Sequence, residues 1–204
     1  MVIHAAAEST ADAHPPASLG ADIRALRRAR GVTLEALGSQ IGRSVGWLSQ
    51  VERDLSTPAM DDIEAIASAL GVSRSFLFGA GAPRPGEEGR IVRAGAGRSL
   101  GSSDGEAGRG TVGLVERLLS PDLSDEFEVI HSVFRPGSRR KTRVARPTTE
   151  LACIIAGKLD VWLGPEQFTL EAGDSIRIRG ESLRWANPYE TDAVAIWVIA
   201  PPVY

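Results

Sequence analysis

Two groups of side chains in this sequence are of a type and spacing that could do chemistry. The first lies between Ser44 and Arg53. A helix over that run turns Leu48 and Val51 inward and leaves Val45, Gly46, Ser49 and Gln50 outward near its N-terminal half. Such a face suits the major groove of DNA. The Gln50 amide can pair bidentately with adenine, and Val45 can meet a thymine methyl group. Gly46 would let the backbone approach closely, although a helical glycine costs about 1 kcal/mol relative to alanine. The second group is the basic run Arg139, Arg140, Lys141, Arg143 and Arg146, with Glu150 beyond it. Redox and metal chemistry find little material. Cys153 stands alone and cannot form an internal disulfide, and the three histidines are His4, His14 and His131. His131, isolated on a predicted strand, reads as a core or surface residue rather than a catalyst.

Helices must position the first group. From Ser18 onward the apolar residues recur at helical spacing: Leu19, Ile23 and Leu26, then Leu34, Leu37 and Ile41, then Leu48 and Val51, then Ile63, Ile66 and Leu70. Phe76, Leu77 and Phe78 close a short fifth segment. Gly31 and Gly42 follow helices, Thr33 and Ser44 precede them as N-caps, Pro58 stands near the start of the fourth helix and Gly71 ends it. Thr33 is followed three residues later by Ala36, so a full capping box is absent.

Strands must position the second. The runs Thr111–Leu119, Phe127–Phe134, Leu151–Ile155, Lys158–Leu163, Gln167–Leu170, Ser175–Ile178 and Ala193–Ile199 are short, β-rich and separated by Gly, Pro or Asp turns. That spacing predicts an antiparallel barrel or sandwich. The chain thus divides into a tail at 1–17, helices at 18–80, a Gly/Pro/Ser-rich linker at 81–110 carrying a short strand Arg90–Arg93, and a β domain at 111–204.

Composition bounds the function. The net charge of −3 is not that of a non-specific nucleic-acid coat. Residues 18–80 hold seven basic and seven acidic side chains, with the acids Asp61, Asp62 and Glu64 gathered on the fourth helix, so the charge is polarised rather than absent. No long uninterrupted apolar run predicts a membrane span, the N-terminus lacks the pattern of a signal peptide, and one free cysteine fits a cytoplasmic protein.

The segment TLEALGSQIGRSVGWLSQVERDLSTPAM resembles the lambda-repressor-like helix-turn-helix in its xenobiotic-response-element-type branch. Leu37, Ile41, Gly42, Leu48, Val51 and Glu52 carry the match, and LSQVER followed by Ser56, Thr57 and Pro58 is especially close. The resemblance covers about 18–80. It implies that Thr33, Ser39, Arg43, Ser44 and Arg53 contact phosphates, a task suited to short hydroxyls and helix N-terminal amides. Trp47 is expected to pack against the second helix rather than face the groove.

The C-terminal half resembles cupins. Gly137, Arg143, Ala145, Glu150 and Gly157 occupy the positions of their first motif, where Arg143 and Ala145 replace two histidine ligands. Gly173-Asp174 opens the second motif, in which either Leu183 or Arg184 takes the remaining ligand position. A cupin metal site uses about three imidazoles and a carboxylate, which the histidine count cannot supply. The resemblance therefore implies a barrel without a metal or other cofactor, and a protein that is not an enzyme. Arg143 would point into the barrel beside Glu150, with Ala145, Ala152, Ile154 and Trp185 shaping the cavity. Either the two charges clamp the ends of a small carboxylate or amino acid, or they pair with each other and plug the barrel.

These readings combine into an α + β two-domain protein: an all-α, five-helix, lambda-repressor-like DNA-binding domain followed by an all-β cupin (double-stranded β-helix) barrel. The expected function is sequence-specific transcriptional regulation, as a repressor, by a homodimer on palindromic double-stranded operator DNA, with the barrel sensing a small anionic or zwitterionic metabolite. The alternatives are a cupin enzyme tethered to DNA and an antitoxin-like protein whose barrel only dimerises.

Overall fold

The computed structural model describes residues 18–78, 84–87, 89–102 and 113–203. The tail at 1–17 and part of the linker lie outside the described residues.

Five helices come first: α1 (Leu19–Ala29), α2 (Leu34–Ile41), α3 (Val45–Val51), α4 (Met60–Ala69) and α5 (Arg74–Phe78). Their ends are set by local chemistry. The Ser18 hydroxyl accepts the Ala21 N–H (3.1 Å), Thr33 accepts from Ala36 (3.1 Å) and Ser44 accepts from Trp47 (3.2 Å). Each satisfies a backbone donor that has no partner within its helix. Gly42 closes α2 in the left-handed region (φ 68°), where a side chain would be strained. At α4 the cap reverses roles: the Ala59 N–H donates to the Asp62 carboxylate (3.1 Å).

The helical faces bury Ile23, Leu26, Leu37, Leu48, Val51, Ile63 and Ile66 in a shared core. Gly20 lets α1 approach the end of α3, because a Cβ there would sit 2.2 Å from the Val51 carbonyl oxygen. Inside this unit Arg27 forms a two-pronged ion pair with Glu52, at 2.6 and 2.9 Å, and also donates to the Val32 carbonyl (2.8 Å). Both side chains are nearly buried, at 10% and 4% exposure, and the Glu52 carboxylate raises the Arg27 pKa. Among the described residues no helix is long and apolar enough to cross a membrane.

Ten strands follow: β1 (Ser99–Ser102), β2 (Leu114–Leu118), β3 (Glu128–Phe134), β4 (Arg139–Val144), β5 (Thr149–Ala156), β6 (Lys158–Leu163), β7 (Glu166–Glu171), β8 (Ser175–Arg179), β9 (Leu183–Ala186) and β10 (Ala193–Ala200). They form two antiparallel sheets, one ordered β1-β2-β3-β10-β5-β8 and the other β4-β9-β6-β7. Phe134 of the first meets Trp185 of the second edge to face, with ring centroids 4.6 Å apart, so the sheets close over one interior. Alternation is strict where one face is covered: β3 and β10 bury every second residue, from Glu128 to Phe134 and from Ala193 to Ile199. Asn187 is fully buried and ties the β9–β10 connection to β3, donating to the carbonyls of Phe134 and Thr191, both at 2.8 Å.

Three expectations change. Arg90–Arg93 is not a strand; it is a turn segment in which Arg93 pairs with Glu87. Its alternation is too short, and no neighbouring strand offers it a ladder. The barrel begins earlier than residue 111, because Ser99–Ser102 pairs with β2. The runs at Arg139–Val144 and Leu183–Ala186 are paired strands that polar composition concealed.

Removing one partner of a buried ion pair leaves a desolvated charge. Glu52→Ala should therefore cost about 3–5 kcal/mol of folding stability in urea denaturation, and a loss below about 1 kcal/mol would show that the pair does not brace the helices.

Candidate nucleic-acid interface and barrel cleft

Helix α3 is short, and its orientation comes from what it buries. Leu48 and Val51 are fully inside, and Glu52 at its C-cap is held by Arg27. Val45, Gly46 and Gln50 are left exposed and Ser49 half-buried, the outward face expected from the sequence. A Cβ on Gly46 would meet nothing within 4 Å, so its backbone is open to an approaching surface. Trp47 is half-buried against the core, and the Arg43 guanidinium lies 5.0 Å over its ring.

The flanking polar residues divide. Thr33 and Ser44 are exposed caps at the N-termini of α2 and α3, Ser39 is exposed on α2, and Arg53 is exposed with its Nε donating to the Ser49 carbonyl (3.1 Å). Arg43 is committed to an ion pair with Asp62 (2.7 Å) as well as to Trp47. Acidic residues are likewise engaged inside the domain. Glu52 pairs with Arg27 and Asp62 with Arg43, while Asp54 accepts from the Gly20 N–H (3.0 Å) and Ser18. Neutralising these carboxylates internally makes the near-zero net charge of the domain compatible with a surface that meets phosphate.

The second site is a half-open cleft between the sheets. Its walls are apolar and aromatic, including Ile130, Phe134, Trp185 and Trp197. Its charged groups are Glu116, Arg140, Arg146, Glu150 and Glu181. Glu150 is nearly buried and accepts a hydrogen bond from Thr148 (2.9 Å), and Glu116 accepts one from Ser132 (3.2 Å).

Several expected cavity residues lie elsewhere. Arg143 does not point into the barrel; it is exposed, as is Ala145. The reason is strand parity: Val144 and Arg146 face inward, so their neighbours Arg143 and Ala145 alternate outward, and a bulge just before Val144 takes Thr142 out as well. Arg140 pairs with Trp185 and Val144 with Leu183, so four steps along β4 match two along β9. The inward residues are Arg140, Val144 and Arg146. Ala152 and Ile154 share the inward face of β5 with Glu150 but are packed in the core and do not line the cleft. At the second ligand position Leu183 faces inward, whereas Arg184 lies 4.5 Å over the outer ring of Trp162. Trp185 lines the cleft as expected.

Sequence reasoning missed Glu116, Arg140, Arg146, Glu181 and Trp197. For Arg140 and Arg146 a signal existed: they share the parity of Glu150. A cupin-type fold implies a metal at this place, and the side chains here do not fit one. The inward positions carry Val144, Arg146 and Leu183, the cleft lining holds no imidazole, and the guanidiniums of Arg140 and Arg146 would repel a cation.

Residues 18–75 match the family model for a helix-turn-helix domain. The chain is 34% identical over 62 residues to an immunity repressor protein of Bacillus phage phi105, a match that covers 30% of this chain and 43% of that one. The chain thus spans less than half the length of this curated relative. Among solved structures, an HTH_3 family transcriptional regulator from Vibrio cholerae is 23% identical over 90% of this chain and 95% of its own, with a TM-score of 0.42. The Cupin_2 domain of an XRE family transcriptional regulator from Enterobacter cloacae is 22% identical over 44% of this chain and 98% of its own, with a TM-score of 0.40. The N-terminal unit is a helix-turn-helix domain, and the β unit has the two-sheet antiparallel form of a cupin barrel.

The placement of the barrel arginine is directly testable. Arg143→Ala should change unfolding free energy by no more than about 0.5 kcal/mol, as for other exposed positions. Trp185→Ala, which empties the cleft wall, should cost about 3–5 kcal/mol. Equal losses from the two in urea titrations would contradict the outward placement of Arg143.

Proposed function

We propose that this protein is a sequence-specific, DNA-binding transcriptional regulator, acting as a repressor, and not an enzyme. The observation that carries this reading is the outward face of α3. Val45, Gly46 and Gln50 are exposed on a helix whose opposite side is locked by Leu48, Val51 and the buried Glu52. A rigid helix presenting an amide and small residues suits direct readout, in which one good bidentate pair is worth about 1–3 kcal/mol. The exposed hydroxyls of Thr33, Ser39 and Ser44, together with Arg53, surround that face and suit phosphate contacts, and Arg43 would take part while paired to Asp62. The repressor assignment draws on the immunity repressor to which the domain is similar.

The working unit is a homodimer on a palindromic site. The outer face of the six-stranded sheet supports this: Val129, Val133 and Ile196 are half-buried, and Leu151, Ile155 and Val198 are exposed beside them. An uncovered apolar face of this kind is the usual mark of an association surface. His131 sits on the same face, opposite Ile196.

The cleft is the effector site. Guanidinium and carboxylate groups on aromatic walls suit a small zwitterion such as an amino acid, with Arg140 and Arg146 for its carboxylate and Glu150 or Glu181 for its ammonium group. The effector regulates only if it binds DNA-bound and DNA-free forms unequally.

Selection of duplexes from a random pool tests the reading function. Gln50→Ala should weaken the selected site by about 1–3 kcal/mol and relax preference at one base pair; an unchanged ratio of selected to random affinity would refute the placement of the reading helix. Thermal shift against a panel of amino acids and small carboxylates tests the cleft. Arg146→Ala should abolish any stabilisation that Arg143→Ala retains, and the opposite result would move the site.

A further inference from the structure

The two domains are not joined by a free linker. Arg98, at the start of the barrel, inserts its side chain into the helix-turn-helix domain. Nη1 donates to the carbonyl oxygens of Phe76 (2.9 Å) and Leu77 (3.2 Å) at the end of α5, and Nη2 pairs with the Asp22 carboxylate on α1. The guanidinium also lies 6.0 Å from the Phe76 ring. The other Asp22 oxygen accepts the backbone N–H of Leu123 (3.1 Å), from the loop between β2 and β3.

One buried carboxylate therefore gathers two separate segments of the barrel onto one helix. Burial raises the Asp22 pKa, opposed by Arg98 and by the Leu123 N–H. The barrel side of the joint is itself fixed. The Leu118 N–H donates to the Arg98 carbonyl (2.8 Å), and a Cβ on Gly97 would meet the Leu118 carbonyl oxygen at 2.5 Å. In the loop, Leu123 is buried and Asp122 accepts from the Ser124 N–H (2.9 Å).

We propose that Asp22 and Arg98 are positioning residues for DNA recognition. They hold each reading domain at a fixed angle on its barrel, so that a dimer joined through its barrels accepts only one separation of operator half-sites. The inference rests on the regulator reading above. Its physical basis is that two heads on flexible tethers engage half-sites at many spacings, whereas heads fixed to a common body gain the second contact only where the geometry matches. Helix α1 also carries Arg27, which holds Glu52 at the C-cap of α3, so the joint and the reading helix share one rigid element. Neither Asp22 nor Arg98 would touch DNA.

The test uses the full chain and a duplex that the wild type selects from a random pool. In a second duplex the half-sites are moved apart by about five base pairs, half a helical turn. Wild type should prefer the first duplex by about tenfold or more. Arg98→Ala should reduce that preference to about threefold or less, while affinity for a single half-site stays within about twofold. Asp22→Asn, which keeps an acceptor for Leu123, serves if Arg98→Ala fails to fold. Calorimetry gives a readout without DNA: one cooperative transition for wild type, two for the variant. Spacing preference retained by a folded variant that unfolds in one transition overturns the proposal. If the wild type selects no duplex, the regulator reading falls, and calorimetry still decides whether Arg98 welds the domains.

Discussion

The buried pair between Arg27 and Glu52 is the interaction on which the helical domain depends. Helix α3 runs only from Val45 to Val51, too short to persist in water on its own propensity. Leu48 and Val51 hold it by burial, which resists separation but tolerates rotation and sliding. The two-pronged contact to Glu52 is directional, and the same guanidinium reaches the Val32 carbonyl in the turn before α2. Three segments are thereby registered by one planar group, which a lysine could not do. The outward face of α3 is a consequence of this inward constraint.

In the barrel the corresponding constraint is parity. A strand shows alternate faces, so the parity of a position decides which charges reach the interior. Arg140, Val144 and Arg146 share one parity and reach the cleft, Lys141 and Arg143 alternate outward, and the bulge between Arg140 and Val144 withholds Thr142. The cleft thus owes its two guanidiniums to strand geometry as much as to the basic run. Half-buried arginines on an apolar wall need carboxylates nearby, and Glu116, Glu150 and Glu181 are there.

The joint between the domains uses charge in the same way. Asp22 and Arg98 are desolvated together, and the cost of burying them is offset by the Leu123 amide and the two carbonyls at the end of α5. Three buried or half-buried ion pairs then run through the helical domain: Asp22 with Arg98, Arg27 with Glu52, and Arg43 with Asp62. Each joins elements distant in sequence, and each engages a carboxylate inside the protein.

By itself the sequence determined whatever depends on neighbours along the chain. The caps at Thr33 and Ser44 and the left-handed Gly42 are readable because their partners lie within a few residues. The inward set of α3 follows from helical spacing, and the inward residues of β10 follow from alternation. The orientation of Arg143 was not determined this way, because motif spacing put Arg143 and Ala145 at the inward positions, whereas the folded strand turns the opposite parity, Val144 and Arg146, to the cleft. Nor was the role of Arg98, which sits in a Gly-rich stretch that reads as linker and finds Asp22 at a separation of 76 residues. Only the tertiary structure decided those contacts, because burial of a charge selects a partner by position in space and leaves no period in the sequence.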